Sequence, residues 1–298
     1  MELLVTLRNL NSINKFKDLC DGIIVGSYFT SAYNYSLEDL KKLRAYCKVI
    51  NLKFYVALDN FISENDLSLL YEYVEFLQKL DVDGIYYHDL AVYEVGKYFD
   101  IVDKLIYDGQ TVLCNSLDTT FYLSKGLKGV CLSRELTLEE LKTILMSNPG
   151  KCDMQIFGHL RMSYSKRKFL SNYFKEINRY YDYLNKQTLY LIEEKRDYKM
   201  PILEDSSGTK IYTDYIFQMY KELNILKPYL ARGIVDTLFI KDSCIATVLR
   251  DYKRISDINS TFLLDVLKKS YPDSYSTGYL YEKTNISKDE KDWIISAC

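Results

Sequence analysis

Short, nearly unbroken apolar runs recur along this chain every twenty to thirty residues, and the stretches between them carry apolar positions at helical spacing. The runs are 2–7, 22–27, 54–58, 83–87, 111–114, 129–132, 154–157 and 233–240. Runs this short and this continuously apolar read as strands buried on both faces. Between them, Ser36-Leu37-Glu38-Asp39 and Ser63-Glu64-Asn65-Asp66 are capping-box starts, in which the serine hydroxyl takes a free backbone N–H. The helices they open place Leu37, Leu40, Leu43 and Cys47, and Leu67, Leu70, Tyr71, Val74 and Leu77, on one side. Thr137-Leu138-Glu139-Glu140 opens another, which ends before Asn148-Pro149-Gly150. Alternating strands and helices imply parallel pairing.

The spacing weakens after Ser171. Residues 173–184 and 215–226 read as helices, and 188–192, 200–203 and 210–213 as strands, with Ser206-Ser207-Gly208 as a hairpin turn. The pattern therefore predicts an α/β fold, a (β/α)8 TIM-like barrel, regular or distorted, with a small β insertion before the eighth strand. The barrel spans 1–255, the β-hairpin insertion about 186–214, and a C-terminal extension at 256–298 packs on the barrel. An open doubly wound sheet is the alternative, but no G-x-G-x-x-G or Walker pattern follows any run, so a nucleotide-binding version lacks support.

Composition narrows the function. Net charge is −2, so any contact with RNA must be local. Seven cysteines without a C-x-x-C pair argue against a disulfide framework or a four-cysteine zinc site, and point to reduced thiols in the cytoplasm. The first residues read as a strand, not as a signal peptide. No apolar run approaches membrane-spanning length, so no membrane partner is expected.

In a barrel of this type the chemistry gathers at the C-terminal ends of the strands. The polar residues there include Asn9, Ser27, Asp59, His88, Asp89, Asn115, Ser133, Arg134, Glu135, His159, Arg161, Lys241 and Asp242. The chain has two histidines, His88 and His159, and both fall in this set, so both are expected to face one mouth as proton donors and acceptors. Glu135 is the third catalytic candidate, as a base or as an orienting partner of Arg134. Arg161 suits a carboxylate, since a guanidinium grips one with two parallel hydrogen bonds. Arg134, Asn115, Ser163, Tyr164 and Lys166 complete the candidate substrate contacts. The run Lys166-Arg167-Lys168 reads first as a solvated face and second as a phosphate contact. A metal set of His88, His159 and Asp59 or Glu135 has no local spacing signature, so no metal is assigned.

Three segments carry a resemblance. They are the run ending at Phe157 with Gly158-His159-Leu160-Arg161 and residues 163–171 behind it, Leu132-Ser133-Arg134-Glu135-Leu136, and the glycine-containing segment 274–280. Together they resemble the collagenase-like peptidase family U32 over most of the chain. The resemblance implies a distorted barrel and one of two activities. One is peptidase, with no settled catalytic type. The other is oxygen-independent or prephenate-linked hydroxylation of tRNA, ribosomal RNA or quinone precursors, with the tRNA wobble uridine as the expected position. Members of the second kind often hold an iron–sulfur cluster on four cysteines, and some work as pairs of related subunits. Here the positions of two such cysteines are Arg161 and Lys168, and neither supplies the thiolate that iron–sulfur clusters need. Besides Cys298, only Cys152 and Cys244 lie in that part of the chain. The chain thus resembles a short, cysteine-poor branch, for which no cluster and no other cofactor is expected. The implied partners are a small anionic metabolite such as prephenate, tRNA, and a cysteine-bearing relative to which this chain is a catalytic or scaffold subunit.

Overall fold

The computed structural model describes residues 1–33, 35–195, 197–255 and 258–282. The elements run β1 (Glu2–Thr6), α1 (Ile13–Phe16), β2 (Gly22–Val25), α2 (Leu37–Val49), β3 (Lys53–Leu58), α3 (Leu67–Leu80), β4 (Gly84–Tyr87), α4 (Ala91–Tyr98), β5 (Leu105–Asp108), α5 (Ser116–Ser124), β6 (Gly129–Cys131), α6 (Leu138–Ser147) and β7 (Cys152–Ser165). They continue with α7 (Phe169–Glu176), β8 (Tyr190–Ile192), β9 (Lys199–Asp205), β10 (Gly208–Gln218), α8 (Leu223–Leu226), β11 (Leu230–Val235), α9 (Asp242–Arg254), α10 (Ser260–Ser270) and β12 (Tyr275–Ser276).

Strands β1 to β7 pair in order, all parallel, and β11 closes the ring by pairing in parallel with both β7 and β1. This is an eight-stranded closed barrel, and the open sheet is excluded. Alternation along each strand divides the apolar residues. Leu4, Ile24, Tyr55, Ala57, Tyr86, Ile106, Cys131 and Ile234 form one cluster, mostly one residue per strand, that fills the inside. Their neighbours, such as Val5, Ile23, Val56, Ile85 and Leu105, join the larger core under the helices. Burial of side chains of this size stabilises by roughly 1.5–3 kcal/mol each.

The helices begin where local chemistry starts them. Ser36 with Asp39, and Thr137 with Glu140, form reciprocal capping boxes on α2 and α6. On α10, Leu263, Leu264 and Leu267 are buried in the main core, which places this helix against the barrel. Residues 256, 257 and 283–298 of the C-terminal extension lie outside the described residues. Among the described residues no helix is long and apolar enough to cross a membrane.

Five elements differ from the expected pattern. The helix expected at 173–184 forms instead at Phe169–Glu176, as α7. The fifth strand is Leu105–Asp108, not 111–114, because Ile106 to Asp108 find partners in β6 and Leu105 to Tyr107 in β4. Both runs are apolar, and Leu113 of the second packs its side chain from a loop. The run 154–157 does not turn at Gly158. Strand β7 continues for fourteen residues, and Gly158, at φ +120°, lets it bend past β11. A Cβ there would meet the Asp236 carbonyl oxygen at 2.7 Å. From Phe157 onward β7 pairs antiparallel with β10, so 215–218 is strand and the helix expected at 215–226 shrinks to α8. Backbone partners on β7 and β12 override the helical spacing there. Finally, β11 ends at Val235, so 236–240 belongs to the loop above the barrel.

Candidate active site at the barrel mouth

Three arginines reach the C-terminal rim, each with an aspartate from another strand end. Arg8, just after β1, donates from Nη2 to Asp236 Oδ1 at 3.0 Å and from Nη1 to the Ser31 carbonyl at 3.0 Å. Its guanidinium lies 4.5 Å from the centre of the Tyr33 ring. Arg134, after β6, donates to Asp108 Oδ2 at 3.3 Å. Arg161, on the extended part of β7, donates to Asp59 Oδ2 at 3.2 Å, to the Asp59 carbonyl at 3.4 Å and, through Nε, to Gln110 Oε1 at 3.1 Å. The three side chains are only 13, 16 and 7% accessible.

These groups share one electrostatic space. Burial alone would favour loss of charge from Arg8 and Arg134. Asp236 and Asp108 respectively outweigh it, so both arginines are held above the ordinary value and stay charged. Arg134 also feels Asp236 and Asp59, the partners of the other two arginines. Burial raises the Asp236 carboxyl, but Arg8 and the hydrogen bonds it accepts bring it below the usual range. Tyr212, paired in register with Arg161, is pushed up by burial and lies within reach of Arg161, Arg8, Asp236 and Asp59. Three nitrogen donors buried at this rim, Arg8 Nε, Arg134 Nε and Gln110 Nε2, and the Thr30 hydroxyl have no partner among the described residues. Buried donors left over in this way are an attraction for an acceptor-rich ligand.

Outside Arg161 lies a cleft of about 600 Å³ that includes Phe61, His88, Gln110, Ser163 and Tyr164 in its lining. Phe61 stacks on Tyr164, with centroids 5.1 Å apart and planes at 8°, and meets His88 edge-on at 4.7 Å. His88 Nδ1 sits 3.0 Å from the Asp108 carbonyl, which can only accept, so Nδ1 is the donor; in the neutral ring Nε2 is then the acceptor.

The candidates read from the sequence therefore separate. Arg161, Arg134, His88, Ser163 and Tyr164 gather at the mouth and its cleft. His159 does not line that cleft. It is buried between β10 and Phe239, with Nδ1 2.8 Å from the Thr213 carbonyl, and burial holds its pKa below the ordinary value. The expectation that both histidines face one mouth is corrected: β7 pairs with β10 from Phe157 onward, and His159 packs against Thr213 and Phe239. Glu135 is exposed, and its backbone amide donates to Ser133 Oγ at 3.2 Å, while Arg134 takes Asp108 in place of Glu135 as its partner. Asn115 is the cap of α5: its Oδ1 accepts from the Asp118 amide at 2.9 Å, which is a structural use of the side chain. Lys166 reaches Ser63 Oγ at 3.2 Å at the outer edge of the mouth.

Arg8, Asp108, Gln110, Tyr33, Tyr212 and Asp236 were missing from the candidates. Asp108 was hidden because the fifth strand was set too late. Asp236 was hidden because the eighth was extended too far. Arg8 directly follows the apolar run 2–7, which is the signal available for it.

An eight-stranded parallel barrel with its polar residues at the C-terminal rim defines a TIM-like barrel. The chain belongs to peptidase family U32, whose model matches residues 27–290. It is 28% identical over 183 residues to tRNA hydroxylation protein P2 of Bacillus subtilis, covering 60% of this chain and 59% of that one. It is 32% identical over 148 residues to an uncharacterized protease of Methanocaldococcus jannaschii, covering 48% and 36%. A collagenase of Porphyromonas gingivalis is 26% identical over 152 residues, 47% and 36% of the two chains. The chain thus spans less than two thirds of the length of each of these relatives. The solved structure of a U32 peptidase aligns with a TM-score of 0.49 at 11% identity, over 79% of this chain and 92% of that one.

The mouth does not fit the iron–sulfur cluster that the resemblance associates with other members. Such clusters require thiolates. Arg161 is committed to Asp59 and Gln110, and Lys168 is an exposed cation. Cys152 is buried at the opposite end of β7, and Cys244 is buried in α9. Among the described residues no group of three or more His, Cys, Asp or Glu is arranged to hold a metal.

Proposed function

We propose that this chain is a component of RNA hydroxylation, with tRNA as substrate and the wobble uridine as the modified position, and that its mouth holds a small dicarboxylate such as prephenate. The observation that carries this reading is the set of three buried arginines with unpartnered donors beside them. Arg134 Nε, Arg8 Nε and Gln110 Nε2 are the donors left for the carboxylates, with Arg161 beside them, and His88 in the cleft is the proton acceptor. The similarity to tRNA hydroxylation protein P2, and at 24% over 144 residues to P1 of the same organism, supports the RNA assignment and a paired-subunit arrangement. Deletion of the gene is expected to abolish or reduce hydroxylated wobble uridine in total tRNA digests analysed by mass spectrometry. Unchanged modification would sink the reading.

Peptidase activity is the second reading, favoured by the names of two relatives. Purified chain that leaves gelatin and casein intact, with and without divalent metal, would remove it.

A further inference from the structure

One segment has a different character from the rest of the chain. Residues 166–192 hold six lysines and arginines against two acids, while the other residues hold 33 against 39. A basic arm is thus attached to an acidic body. The same segment holds seven aromatic residues, and its residues are exposed or half-buried throughout. Helix α7 buries no side chain, and all three residues of β8 are exposed. Tyr180 is 99% and Tyr173 58% accessible. Phe174 is stacked with both Tyr181, at 5.3 Å, and Tyr183, at 5.4 Å, which forms a small aromatic ladder. Among the described residues, Arg167, Lys168, Lys175 and Arg179 have no carboxylate partner.

A merely solvated face accounts for the cations but not for the rings, because exposed tyrosine and phenylalanine gain nothing from water. A protein edge docking on β8 uses the apolar residues but leaves the cations unmatched. Single-stranded RNA uses both: phosphates pair with the cations, and splayed bases stack on exposed rings. Position adds to this. Strand β7 runs without interruption from Arg161, at the mouth, to Ser165, and Lys166 touches Ser63 at the rim. The arm therefore begins beside the Phe61–Tyr164 stack.

We infer that the arm 166–192 is a docking surface for single-stranded RNA, a tRNA loop, and that it delivers the nucleotide along β7 to the mouth. This rests on the RNA reading above. The test is fluorescence-anisotropy titration of the full chain with an unmodified tRNA transcript across a salt series. Stabilisation of the same proteins by prephenate is followed in parallel as a probe of the mouth. The wild-type chain is expected to bind with an affinity that falls steeply with salt. The triple substitution Arg167→Glu, Lys168→Glu and Arg179→Glu is expected to weaken binding at least about tenfold and flatten the salt dependence. The pair Tyr173→Ala and Tyr180→Ala is expected to weaken it about tenfold with the salt dependence unchanged. All variants retain the prephenate effect. If the wild-type chain binds the transcript and the arm variants bind it equally well, the arm is not the docking surface, and the RNA reading survives. If the wild-type chain binds no RNA while prephenate still stabilises it, the RNA reading falls and this inference with it.

Discussion

The two ends of the barrel both hold buried charge, yet they leave different atoms unmatched. At the floor, Arg232 Nε donates to Asp153 Oδ2 at 2.7 Å, and Tyr86 OH adds a second donor at 2.8 Å. Glu2 joins Lys53 and Tyr55 nearby. Inside the ring at the floor, one acceptor, Asp153 Oδ1, and one donor, Arg232 Nη2, are left without partners among the described residues. At the mouth the nitrogen atoms left over are all donors, Arg8 Nε, Arg134 Nε and Gln110 Nε2, beside the Thr30 hydroxyl, which can donate or accept. A floor with one of each plugs the barrel. A mouth with an excess of donors is complementary to a ligand rich in acceptors. Counting arginines does not separate the two ends; what remains after each arginine has its aspartate does.

Breaking the floor should have the largest effect. Asp153→Ala leaves Arg232 buried and uncompensated, and chemical denaturation is expected to show a loss of about 3–5 kcal/mol. Asp153→Leu combined with Arg232→Met should recover most of that. If the single change were harmless, the floor would not be the plug described. At the mouth, Arg161→Gln is expected to weaken prephenate binding by about 1.5–3 kcal/mol, read by calorimetric titration, with a smaller change in stability. Equal affinity in the variant would remove Arg161 from the site. A smaller effect comes from His159. The folded chain keeps it neutral and with a depressed pKa through burial, whereas the unfolded chain takes up the proton at about pH 6.5. Its contribution is therefore complete above that pH and lost as pH falls below it. Denaturation midpoints at about pH 5 and 7.5 should differ less in His159→Gln than in the wild-type chain. Smallest of all, the Arg167, Lys168 and Arg179 charge reversals should leave stability within about 0.5 kcal/mol, because those side chains are exposed.

Much of the barrel was legible because its strands are buried on both faces. Continuous apolarity marks such a strand wherever it falls, as at Ile23–Ile24 or Ile85–Tyr86. The same signal does not locate the fifth strand, because 111–114 is apolar while Leu105–Asp108 is the segment that pairs. Asp108 and Gln110 stand at the end of the strand that pairs, and are legible only once it is known. Arg161 and Arg134 were legible because a charged residue within a few positions of the end of an apolar run lies at a rim in this fold, a rule that Arg8 also satisfies. Asn115 satisfied the same rule for a different reason, since strand ends and helix caps draw on the same polar residues.

By itself the amino-acid sequence determined the alternation of strand and helix, the capped starts of α2 and α6, and the presence of cations near the strand ends. These depend on local chemistry and on periodicity, which act over a few residues. The tertiary structure alone decided which aspartate each arginine meets and that His159 turns away to β10. It alone decided that Arg8 and Asp236, 228 positions apart, share one ion pair. Such contacts follow from closure of the ring and from the bend at Gly158, where backbone pairing across distant segments outweighs local preference.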